Sequence, residues 1–152
     1  VLLIRDLDGR EQGRKRLASL HSARQNHQEI DPNSTIVIGT AVPEREAWVL
    51  NGFVSQTPEE EQRLAECQQQ LNFDPCREAH RLRGDKKNPE QRDRAAKFVL
   101  ETLTDGSTER QEQCWTETDL ELLRNRGKDT GLADYLNEIK RYLRPIVIPE
   151  EQ

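Results

Sequence analysis

Val1-Leu2-Leu3-Ile4-Arg5-Asp6-Leu7-Asp8-Gly9-Arg10 decides how the rest of the chain is read. Four apolar residues run into two carboxylates spaced i, i+2, and then a glycine. Val1 to Ile4 is expected to form a strand buried on both faces, the kind found inside a parallel sheet. Side chains i and i+2 of an extended chain point the same way. Asp6 and Asp8 therefore present oxygens to one point past the strand's carboxyl end, where open α/β sheets place their ligands. Two hard anionic donors suit Mg²⁺ or Mn²⁺, which keep their other positions for water and phosphate oxygens. An Asp here can instead cap the next helix, but one would do for that.

Downstream, Glu11 to His27 has helical spacing through Leu17 and Leu20. Asp31-Pro32-Asn33-Ser34 is a turn, and Thr35-Ile36-Val37-Ile38-Gly39-Thr40 is a second β-branched strand. Strand, helix and strand in this order have the size of a right-handed βαβ unit. Pro43 opens a short helix through Glu44, Glu46, Ala47, Trp48 and Leu50 that ends at Asn51-Gly52. If the strands are parallel, this helix starts at the same sheet edge as Asp6 and Asp8. Glu44 or Glu46 can then add a third carboxylate, as metal ligand or general base. Only one of them can face the aspartates, and Glu46 is favoured because Trp48 and Leu50 need the core side. The alternative is that both acids simply match the helix dipole.

The remainder is helical. Thr57-Pro58-Glu59-Glu60 is a strong helix start, with Thr57 as cap and Pro58 at the first position. Asp74-Pro75 opens a short helix, Gly84 to Asn88 forms a loop, and Pro89 to Thr104 reads as one helix. Glu109 to Trp115, Thr118 to Arg126 and Asp129 to Leu143 follow as helices, the last with the best amphipathic pattern. Ile146-Val147-Ile148 is expected as a last strand. The fold class is thus α/β, a small, mostly parallel sheet with a helix-rich C-terminal half. It forms one domain over 1–152, with a βαβ core and acidic site in 1–52 and a mainly helical part in 53–152. Two strong strands make a poor sheet for so many helices. We therefore expect further sequence before Val1, supplying another strand and helix.

Composition narrows the function. Apolar residues make up 33 % of the chain and charged residues 34 %, so the core is small and the surface strongly polar. No stretch approaches a membrane span. Cys67, Cys76 and Cys114 form neither a CxxC pair nor a zinc pattern, which favours a reducing compartment, the cytoplasm. The net charge of −5 excludes a wholly basic nucleic-acid binder, so phosphate contacts must come from a metal or a local patch. Arg77 to Arg94 supplies such a patch, with Arg81, Arg83, Lys86 and Lys87 as candidate backbone contacts beside Arg45. Asp85, Glu90 and Asp93 dilute it, so a salt-bridged, solvated face is the competing account.

The strand that delivers Asp6-Leu7-Asp8, followed by a helix, a strand and Pro43-Glu44-Arg45-Glu46-Ala47-Trp48, resembles the Toprim-like domains. The closest likeness is to a bacterial Toprim-related family of unknown function, and it covers about the first 50 residues. The resemblance implies a Rossmann-like topology in which Asp6 and Asp8 hold Mg²⁺. It implies a nuclease-like activity on nucleic-acid phosphodiesters, DNA rather than RNA, beside an ATPase partner. The family's glutamate on an earlier strand has no counterpart here. A second resemblance is to haloacid-dehalogenase phosphatases, through Asp6-Leu7-Asp8-Gly9 after a strand. It would make Asp6 the nucleophile, Thr40 the second-motif hydroxyl and Lys86 the motif lysine. Arg10 stands where that family has Thr, and no apolar run precedes Gly84-Asp85. A third reading makes the helical half a non-catalytic docking module.

Overall fold

The structure is a computed structural model that describes residues 1–7 and 10–148, with only the backbone of residues 10–12. Strand β1 (Leu2–Asp6) leads through helix α1 (Arg10–Ile30) to strand β2 (Val37–Ala41). The two strands pair in parallel, with Leu2 opposite Val37 and Asp6 opposite Ala41. The ladder continues at both ends, where Val37 N–H donates to Val1 O and Leu7 N–H donates to Ala41 O. This is the expected βαβ unit, and it brings the carboxyl ends of both strands to one edge.

Helices fill the rest: α2 (Arg45–Gly52), α3 (Pro58–Leu71), α4 (Ala96–Leu103), α5 (Thr108–Thr116) and α6 (Leu120–Arg126). The last three segments run on without a break as α7 (Leu132–Glu138), a π turn (Ile139–Leu143) and α8 (Arg144–Val147). Short α2 is the centre of the packing and touches β2, α4, α5 and α6. Its Ala47 and Leu50 enter one core with Cys67, Leu71, Leu82, Val99 and Leu103. Its Trp48 enters a second core with Val37, Leu123, Leu132 and Tyr135. A helix that feeds two cores must be apolar on nearly all sides, and α2 is buried at Ala47, Trp48, Leu50, Asn51 and Gly52.

The second core covers β2 closely. Trp48 stacks on Tyr135 with centroids 5.1 Å apart. A Cβ on Gly39 would lie 2.6 Å from the Tyr135 ring and 2.9 Å from the Trp48 ring, so only glycine fits there. Gly131 takes φ +80° and sits against the Thr40 carbonyl, a close approach in a conformation that favours glycine. Buried polar groups tie the same region together. Trp48 Nε1 donates to Thr130 O at 2.6 Å, Thr130 Oγ1 donates to Asn51 Oδ1 at 2.6 Å, and Asn51 Nδ2 donates to Cys76 O at 2.9 Å.

Three sequence expectations need correction. Val1 to Ile4 is not buried on both faces, since Leu2 is 52 % and Ile4 41 % exposed. The helical layer after residue 127 covers β2, not β1, which among the described residues is an edge strand with open faces. The helix expected over Pro89 to Thr104 starts only at Ala96, because residues 88–94 are spent on turns and a 3₁₀ turn at Arg92–Arg94. Ile146-Val147-Ile148 is not a strand; Arg144–Val147 continues the last helix. Among the described residues, no helix is long and apolar enough to cross a membrane.

Candidate phosphate and metal site at the sheet edge

Asp6 ends β1 beside the start of α2. The N-cap residue of α2, Glu44, makes no capping bond with its own side chain. Asp6 takes over that role from a distant strand: its Oδ1 accepts from the Arg45 N–H at 3.1 Å. The Arg45 Nε lies 3.3 Å from the same oxygen. A carboxylate at a helix N-terminus meets both the orphan amides and the positive end of the dipole. The capping alternative therefore holds for Asp6, although the helix it caps is α2 and not the one that follows in sequence.

Around this carboxylate lies an open pocket of ≈ 310 Å³, lined by Ile4, Arg5, Asp6, Arg16 and Arg45. Arg5, Arg16 and Arg45 share this pocket with Asp6, so its described lining holds more basic than acidic side chains. Guanidiniums present planar, paired donors that match phosphate oxygens. Arg16 was not singled out by sequence reasoning. Gly13 packs on Leu7, a Cβ there lying 3.2 Å from Leu7 Cβ. Residue i+3 shares that helix face, which brings Arg16 to the same edge.

The other candidate residues divide. Asp8 lies outside the described residues. Glu44 Oε1 accepts from Lys97 N–H at the first turn of α4, at 3.2 Å. Glu46 is half-buried in the first turn of α2. Among the described residues, no group of three or more His, Cys, Asp or Glu side chains could hold a metal ion. The donors on hand are Asp6 oxygens, of which Oδ1 is engaged by Arg45.

None of Arg81, Arg83, Lys86 and Lys87 lines this pocket. Arg81 pairs with Glu78 at 2.8 Å and lies over the Phe73 ring, 4.2 Å from its centroid. Lys86 Nζ pairs with Glu101 at 2.6 Å. Arg83 and Lys87 are exposed. Much of this basic stretch thus forms the salt-bridged face that competed with the nucleic-acid reading. Thr40 lines a different pocket, with Leu17, His21 and Asp134 among its walls. The phosphatase assignment of Thr40 and Lys86 gains no common site from these positions. Comparison of the chain with protein-family models, with curated proteins and with solved structures returns no match.

Proposed function

We propose that the edge at Asp6 binds the phosphodiester backbone of a nucleic acid, DNA before RNA, and acts on it as a Toprim-like, metal-dependent nuclease. The observation that carries this is one open pocket in which Asp6 stands among Arg5, Arg16 and Arg45 at the carboxyl end of a parallel strand pair. The arginines would grip nonbridging phosphate oxygens, and Arg45 would leave Asp6 for the phosphate as it enters. Asp6 Oδ2, with Asp8, would hold Mg²⁺ or Mn²⁺. One or two carboxylates plus substrate phosphates are the usual protein share of a magnesium site, so the donor chemistry fits. A bound cation there would polarise the phosphate and lower the pKa of an attacking water. Glu46, or Glu44 if released from Lys97, would serve as the base. The resemblance adds an ATPase as working partner, and the buried thiols favour a reducing cytoplasm.

Two measurements test this. Calorimetric titration with Mg²⁺ and Mn²⁺ should show binding that Asp6→Asn and Asp8→Asn abolish. Asn at position 6 keeps an oxygen for the Arg45 amide, so α2 stays capped and the loss reports the metal. Fluorescence anisotropy should show DNA binding that weakens with salt and falls in Arg16→Ala and Arg45→Ala. Absence of metal binding at millimolar concentration together with absence of salt-dependent DNA binding would sink the reading.

A further inference from the structure

We infer that the last helical rod is a docking seat for an acidic amphipathic helix of a partner protein. This goes beyond the sheet-edge reading and does not depend on it. The rod formed by α7, the π turn and α8 borders an apolar trough of ≈ 520 Å³. Leu136, Ile139, Leu143, Val147 and Ile148 line it from the rod, and Leu120 lines it from α6. The first three are half-buried against the second core. Val147 is 67 %, Ile148 62 % and Leu120 45 % exposed.

Two observations identify the occupant. The rod's apolar residues recur at spacings of three, four and four from Leu136 to Val147. That is the seam a second helix reads, and it is about 16 Å long at 1.5 Å per residue. The trough is also flanked by cations in a chain that is acidic overall. Arg124, Lys140 and Arg144 line it, with no acid among the described lining residues. Arg124 pairs with Glu121 at 2.7 Å. Lys140 and Arg144, one turn apart, have no ion pair among the described residues. A second copy docked face to face would set these cations against their own kind. A helix with leucines along its seam and acids beside them satisfies both the floor and the rim.

The test uses the whole chain and two labelled synthetic helices. One carries Leu at the seam positions with Glu on both flanks; the other has Lys in place of Glu. Anisotropy should show saturable binding of the acidic helix and binding of the basic one at least about tenfold weaker, as two rim ion pairs imply. Lys140→Glu with Arg144→Glu, both at exposed positions, should reverse that order. Val147→Glu should abolish binding of both helices with the circular dichroism spectrum unchanged. Equal binding of the two helices, or no binding of the acidic one, overturns the inference. So does a preference that survives the double reversal. Oleate binding that Val147→Glu removes, without acidic-helix binding, would assign the trough to an acyl chain instead. A dimer that Val147→Glu breaks would assign it to self-association.

Discussion

Glu60 and Arg110 form the most enclosed ion pair among the described residues, with side chains 7 % and 11 % exposed and Nε 2.7 Å from Oε1. Arg110 also donates to Val54 O at 2.6 Å and lies over the Phe53 ring, so it ties the chain entering α3 to α5. The hydrogen bond from Arg110 holds the Glu60 carboxyl below its ordinary value of 4.5, against the opposing effect of burial. A lowered folded-state pKa stabilises the protein above the unfolded value, and that contribution is lost as pH falls through the folded one. Glu60→Gln leaves Arg110 buried without its counter-charge, which typically costs about 3–5 kcal/mol. Urea unfolding at pH 7 should show this loss, and the gap to the parent should close as pH drops below 4.5. A gap that stays constant with pH would mean that the pair adds nothing through its charge. Gly39 is the other decisive single position. Gly39→Ala drives a methyl into the Tyr135 and Trp48 rings, and overpacking of this kind costs about 1–3 kcal/mol. A drop in the thermal midpoint together with altered tryptophan fluorescence would report it.

Among the elements, those with strong local signals were legible in the sequence. Thr57 accepts from the Glu60 amide at 3.2 Å, and Pro58 opens α3, as capping chemistry predicts. The strand–helix–strand order and its parallel pairing were legible because β-branched runs alternate with a helical period. Errors arose where local pattern and tertiary surroundings disagree. Val1 to Ile4 has the composition of a central strand, but composition cannot tell which edge the helices will cover. Ile146-Val147-Ile148 is β-branched, yet Ile146 and Val147 continue a helix already under way and Ile148 caps it. Pro89 to Arg94 lacks an apolar face, and turn hydrogen bonds such as Asn88 O with Gln91 N–H claim its backbone. At the site, the strand order placed Asp6 at the edge where α2 begins, and Asp6 lies there. Arg16 as its neighbour was not legible, because a helix-to-strand contact ten residues apart leaves no pattern in either element alone.

Across the whole molecule, the pocket at Asp6 joins two very different neighbourhoods. Arg45 opens α2, whose side chains are locked into both cores. Arg5 and Asp6 belong to β1, an edge strand held along one side only. The ladder bonds at Val1 O and Leu7 N show that odd-numbered residues of β1 turn toward β2. The amides of Leu2, Ile4 and Asp6 therefore turn to the open edge. Free energies of local opening track such differences in burial. Amide hydrogen exchange should be fast along Leu2 to Asp6, including the paired Leu3 and Arg5, and slow at Trp48 to Asn51. Uniform protection across both would show that β1 opens only with the whole fold. The hydrogen bond from Arg45 N–H to Asp6 is then a latch between a fixed post and a gate: where β1 opens alone, the pocket proposed to take an anion would come apart while both cores stay shut, and a ligand that bridges the two sides would register as slower exchange along β1.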